Sequence, residues 1–231
     1  MKAYYDLHIH SALSPCGDND MTPNNIVNMS MIKGLDVIAL TDHNSCANVR
    51  AAMAAAEGKL LVIPGMEIET SEEVHMVALF PDADTAEEME RILRASAPEI
   101  KNRPEIFGNQ YIMDKNDEIV GEEERMLVTA SGMDIFSVVD SVSKLGGVAY
   151  PAHIDRSSYS ILSNLGFIPP ELKIGTVEIT EKSRDKMELD YNKLYNIVTS
   201  SDAHYLWDIA EKGRYFELDE LSAAGIIERL K

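Results

Sequence analysis

Short apolar runs alternate with amphipathic stretches along most of this chain. The runs fall at residues 3–7, 37–40, 60–63, 74–80, 147–150, 176–179 and 196–198. Continuous apolar runs of this length suit parallel strands covered on both faces. Between them the spacing predicts helices over 23–33, 45–57, 86–97, 135–145, 184–194 and 221–230. Thr22-Pro23 is a good helix start, a cap followed by proline in the first turn. Gly34, Gly58 and Gly146 sit where helices should stop. Strand then helix, repeated about seven times, argues for an α/β barrel or a related closed sheet.

Polar residues follow the apolar runs rather than precede them. V-I-A-L runs into T-D-H, L-L-V-I into P-G-M-E, V-A-Y into P-A-H, and I-V-T into S-S-D-A-H. That is the strand end where such barrels place their active sites. Residues 98–132 break the rhythm, being polar and acidic. Within them 110–121 reads as a hairpin, with Y-I-M and E-I-V flanking a D-K-N-D turn. We read 98–132 as an insertion near the mouth of the site, either a substrate lid or a surface decoration. The remainder of 1–231 reads as one barrel domain.

The net charge is 21 − 39 = −18. Such a chain is not expected to bind nucleic acid or an anionic membrane through its bulk field. No apolar run approaches a membrane span. The start, M-K-A-Y-Y-D-L-H, carries no hydrophobic signal segment, and two cysteines make no disulfide framework. A cytoplasmic location is the expectation; the oligomeric state is left open.

All six histidines lie at or near the apolar runs. Histidine is the commonest protein metal ligand. His8 and His10 are spaced by two, so on a strand both rings point the same way. The pattern predicts a multinuclear metal site. Cys16 and Cys46 lie near candidate ligands, as thiolate ligands or as small packed residues.

Five motifs then appear in order: D-L-H-I-H-S-A-L-S, A-L-T-D-H-N, P-G-M-E-I-E-T, Y-P-A-H and S-S-D-A-H. In these the chain resembles the PHP (polymerase and histidinol phosphatase) family. The resemblance implies a distorted (β/α)7 TIM-like barrel, a trinuclear metal site and phosphoester hydrolysis. It implies that His8, His10, Glu67 and Asp202 surround one ion. Glu67 would bridge to a second held by His75 and His153, and His43 and His204 would hold a third. Cys16 falls where the family offers a histidine or aspartate, with Asp18 and Asp20 as rivals. Glu69 rivals Glu67, and Asp6 and Asp42 would orient metal-bound histidines. Two to three divalent ions are expected, with zinc, manganese or iron suiting this donor set.

The expected function is hydrolysis of a small phosphorylated metabolite or nucleotide by a metal-activated water, with Glu67 and Asp202 in the catalytic set. Arg156 and Arg184 are the expected phosphate binders, since a guanidinium grips two oxygens at once. Two rivals stand beside this reading. A metal-dependent amidohydrolase would place a lysine where this chain has Glu67. A non-catalytic PHP module would accompany a polymerase.

Overall fold

The computed structural model describes residues 1–183, 187 and 190–231, so the helix expected over 184–194 lies partly outside the described residues. The strands are β1 Lys2–Ile9, β2 Val37–Leu40, β3 Leu61–Glu69, β4 His75–Leu79, β5 Tyr111–Met113, β6 Ile119–Glu122, β7 Val148–Pro151, β8 Thr176–Ile179, β9 Asn196–Thr199 and β10 Tyr215–Glu217. The helices are α1 Pro23–Ile32, α2 Val49–Ala56, α3 Ala83–Ser96, α4 Pro104–Phe107, α5 Ile135–Lys144, α6 Ile161–Leu165 and α7 Ala223–Leu230. Six strands form one sheet in the order β10-β1-β2-β3-β4-β7, while β8 and β9 form a parallel pair.

The sheet curls into a half-barrel. Among the described residues two seams carry isolated bonds instead of a strand ladder. Ile154 N donates to Glu178 O at 2.8 Å beside β7 and β8, and Ile9 bridges Ala203 beside β1 and β9. An uninterrupted (β/α)7 barrel of parallel strands is therefore not what forms. β4 also runs backwards, antiparallel to both β3 and β7. Only residues 70–74 join β3 to β4, whereas a parallel return needs about a dozen residues or more. The reversal has a functional consequence. β1, β2 and β3 bring their last residues to the mouth, and β4 brings its first, His75.

Alternation sorts the side chains into two layers. Tyr5, Leu7, Val37, Ile63, Val77, Leu79 and Tyr150 pack with Ile226, Ile227 and Leu230 of α7. Ile38, Leu40, Val62, Ala78 and Phe80 turn the other way, into the layer of α1, α2, α3 and α5. Leu230 O accepts from Thr176 Oγ1 at the start of β8, so α7 closes the end opposite the mouth. Each fully buried aliphatic side chain there contributes roughly 1.5–3 kcal/mol.

The β5–β6 hairpin forms within the insertion as expected. It is bonded to the loops that leave β1 and β2. Tyr111 N donates to Ala12 O at 2.9 Å. Buried Asn48 donates to Tyr111 O at 3.0 Å and accepts from Met113 N at 2.8 Å. Asn44 donates to Leu127 O and Thr129 O. Gly108, at φ 100°, lets the chain pass so close to Pro15 that a Cβ there would lie 2.1 Å from its carbonyl oxygen.

Candidate metal centre

A β-bulge turns the first motif into the barrel. Asp6 pairs with Ile38 and Ile9 with Leu40, so three steps along β1 match two along β2. The extra residue bends the strand. Leu7 packs in the interior layer, and His8 and His10, fully buried, meet the interior carboxylates. Thr41 clamps the bulge, its Oγ1 accepting from Ile9 N at 3.2 Å.

Glu67 lies at the centre. It is 1% exposed and shares the interior parity of Ile63 on β3. Its Oε1 lies 2.9 Å from His75 Nδ1, 3.1 Å from His153 Nε2 and 3.3 Å from His8 Nε2. Its Oε2 lies 3.0 Å from His43 Nδ1 and 3.4 Å from His10 Nε2. Asp202 Oδ1 stands 3.3 Å and 3.1 Å from His8 and His10 Nε2. Glu69, the rival to Glu67, is not among these groups; its backbone N donates to Asn44 Oδ1 instead.

Among the described residues three sets of donors converge: His8, His10, Glu67 and Asp202; His43, Glu67 and His75; and His10, His43 and His204. The first is the set the resemblance implied. The second differs from it, because His43 joins Glu67 and His75 while His153 reaches only the Glu67 oxygen. Cys16 is in none of the three sets, but its Sγ lies 3.1 Å from His204 Nε2 of the third, at the exposed rim. Asp18 and Asp20 are outside all three sets; Asp18 Oδ1 accepts from Asp20 N.

The donors fit a cation. His8 Nδ1 faces Glu178 Oε1 at 2.9 Å, and His10 Nδ1 faces Ser14 Oγ at 2.9 Å. Ser14 Oγ donates to Asp42, so it accepts from His10. With both Nδ1 protons so placed, the two Nε2 atoms are bare lone pairs only 3.2 Å apart. They face Asp202 Oδ1, a buried oxygen without a hydrogen bond. Positive charge is required there. Without an ion, burial opposes charging of His8, yet Glu178, Asp202 and Glu67 hold its pKa well above the ordinary value. Burial and then the neighbouring His204 push His10 well below it. Asp202 is held ionised, since the attraction of His8 and His10 outweighs its burial. That environment suits a ligand better than a proton donor.

The remaining expectations meet mixed outcomes. Arg156 Nη1 lies 2.6 Å from Asp202 Oδ2 and is half-exposed at the mouth. Arg184 lies outside the described residues. Asp6 touches no imidazole; it accepts from Ser201 N and Oγ and from Ala210 N, fastening the loop after β9 to β1. Asp42 accepts from Ser11 and Ser14 and reaches His10 only through Ser14. The carboxylate that orients a histidine is Glu178, which sequence reading passed over. Its signal was a glutamate in the apolar strand T-V-E-I. A cleft of about 950 Å³ opens beside this centre, lined by His153, Arg156, Glu178, Lys182 and Asp202.

The family model for the PHP domain matches residues 6–165. The chain belongs to the PHP domain family. It is 27% identical over 197 residues to the uncharacterized protein MJ0043 of Methanocaldococcus jannaschii, covering 84% of this chain and 22% of that one. It is 37% identical to the 5'-3' exoribonuclease of Haemophilus influenzae over 83 residues, 34% of this chain and 29% of the relative. The chain thus spans less than a third of these two curated relatives. Among solved structures it is similar to the lesion-specific endonuclease PfuEndoQ of Pyrococcus furiosus, with TM-score 0.77, 18% identity, and coverage of 100% of this chain and 56% of that one. Endonuclease Q with a 27-mer duplex carrying an abasic lesion at its active site gives TM-score 0.72 at 17% identity, covering 99% and 56%. The exoribonuclease and endonuclease likenesses overturn the expected small-metabolite substrate. Net charge does not decide the matter, because it sums the whole surface, whereas bound ions would supply positive charge locally.

Proposed function

We propose that this PHP chain hydrolyses phosphoester bonds in nucleic acid, using two to three divalent ions held by the histidine and carboxylate cluster. One observation carries the reading: Glu67 presents each of its oxygens to a different group of histidines, the arrangement of a carboxylate shared between cations. The nucleic-acid substrate is supported by the exoribonuclease and endonuclease relatives. Ions bound there would neutralise the phosphate and activate water for an in-line attack.

The residues divide the work. His8, His10, Glu67 and Asp202 would hold one ion, His43 and His75 a second against Glu67, and His204 with His43 and Cys16 a third. His153 reaches the shared Glu67 oxygen from the side of the cleft. Arg156 would exchange one carboxylate contact for a phosphate oxygen, staying charged throughout.

Single-stranded RNA and DNA oligomers, incubated with metal-loaded protein and resolved by length, test the reading. Shortened products that vanish on chelation and return with added divalent ion are expected. No cleavage of any oligomer by protein that demonstrably holds its ions would reject it. Arg156→Met should raise KM about tenfold to a hundredfold, the worth of a charge-assisted contact, without changing metal content.

A further inference from the structure

Trp207 is the chain's single tryptophan, and 70% of its surface is exposed. Burial of a tryptophan is strongly favourable, so an ordered, exposed one needs a reason. Its backbone is fixed. Trp207 O accepts from Lys33 Nζ at 2.8 Å, and the same lysine pairs with Glu211 at 3.1 Å. The preceding Leu206 packs against the core. A rigid short helical turn, Leu206–Asp208, therefore holds the indole out in solvent. Tyr205 lies parallel to it, ring centroids 4.9 Å apart and planes 16° apart, and is itself 40% exposed.

The location connects this pair to the centre. Tyr205 directly follows His204, and Asp202 lies on the same loop. Farther along that loop, Asp208 and Ala210 line the cleft that opens on His153 and Asp202. The loop that carries the pair thus forms part of the lip of the cleft. The other aromatic at the mouth, Tyr159, is already engaged: its ring stacks on His75 at 4.8 Å.

We propose that Tyr205 and Trp207 form a stacking platform for a nucleobase next to the scissile phosphate. This rests on the nucleic-acid reading above and names how such a strand is held. A flat ring held out in solvent suits a base, whose own flat face is apolar while its edges stay wet. The local charges favour a base over a phosphate as the occupant, because Asp208 and Glu211 follow Trp207 on the same loop and would repel an anion. They also argue against a protein partner, whose interface centre is depleted in charge. The phosphate belongs at the ions and Arg156, and the base beside it falls on the lip.

The single tryptophan makes the test direct. Metal-loaded protein is titrated with phosphorothioate-linked oligomers that resist cleavage. One series bears bases; the other is wholly abasic and of equal length. Selectively excited tryptophan emission should be quenched by the first series and not the second. In parallel, kcat/KM is measured on ordinary oligomers of both kinds. Trp207→Ala should lower the ratio of base-bearing to abasic kcat/KM by about fivefold to a hundredfold, the range of base–aromatic stacking. Trp207→Phe should keep most of it, and metal content should not change. If oligomers are cleaved but the emission is silent and the ratio is untouched in Trp207→Ala, the platform is wrong while the nuclease reading stands. If neither series is bound or cleaved, the nuclease reading falls and the platform with it.

Discussion

Glu178 and His8 meet across 170 positions of sequence, and the pair fixes which nitrogen of His8 faces the centre. Its Oε1 also accepts from His153 N at 3.2 Å, so one carboxylate orients two histidine-bearing segments. Glu178→Gln preserves an acceptor but removes the charge. It should weaken metal affinity by about tenfold to a hundredfold, read by competition with a chromogenic chelator, with the fold intact by circular dichroism. Glu67→Gln should cost more than one ion's worth of binding, and Glu69→Gln almost none, by elemental analysis. Cys16 offers a titration. Burial raises its pKa, but bonds to His204 and His43 bring it down to about 6. Alkylation of metal-free protein should therefore rise with pH through about 6 and level off, since only the thiolate reacts. A bound ion should slow it at every pH. The converging histidines and carboxylates were legible because a donor's chemistry resides in the residue type itself. Glu178 and Ser14 were not, because an orienting contact exists only once distant strands meet.

At the scale of elements, direction and register decide where those ligands arrive. The strands at 37–40 and 176–179 stand where the short apolar runs put them. The reversal of β4 was in principle legible from the brevity of 70–74. The β-bulge was not, because D-L-H-I reads as a regular strand and the extra residue shows only against β2. The insertion is the other lesson. Its hairpin could be read from turn chemistry, but its attachment could not, since it depends on Asn48, an unremarkable residue in sequence. Asn48 is fully buried and bonds Ser11 Oγ at 3.0 Å as well as the hairpin backbone. Asn48→Ala strands these partners. It should cost about 1–3 kcal/mol, the penalty for a buried polar group left unpaired. Amide exchange should accelerate at Tyr111 and Met113 far more than on β2 and β3. Uniform acceleration would mean that the hairpin and the sheet unfold as one unit.

For the whole molecule, the proposed function requires an anionic chain to reach an anionic polymer. None of the helices among the described residues is long and apolar enough to cross a membrane, and the net charge of −18 repels nucleic acid at long range. Attraction must come from the ions, and their loading depends on pH. His8 and His43 are held above their ordinary pKa by carboxylates that outweigh burial. Each therefore carries a proton when no ion is bound, and uptake must displace it. Metal affinity should fall as pH drops from about 8 to about 5.5, with more protons released on binding at the lower pH, where these histidines are charged beforehand. Salt then reports how few contacts the strand makes. A basic nuclease covering several phosphates loses affinity steeply with salt, about 0.7 log units per phosphate per decade on single strands. Here the phosphate at the centre and one neighbour near Arg156 are the contacts expected, and stacking on Trp207 releases no counterions. The logarithmic slope of oligomer affinity against salt should therefore be shallow, about −0.7 to −1.4. Screening of the long-range repulsion should flatten it further at low ionic strength. A slope steeper than about −4 would imply an extended basic track, which a surface so acidic could supply only through a partner chain or a segment beyond this one.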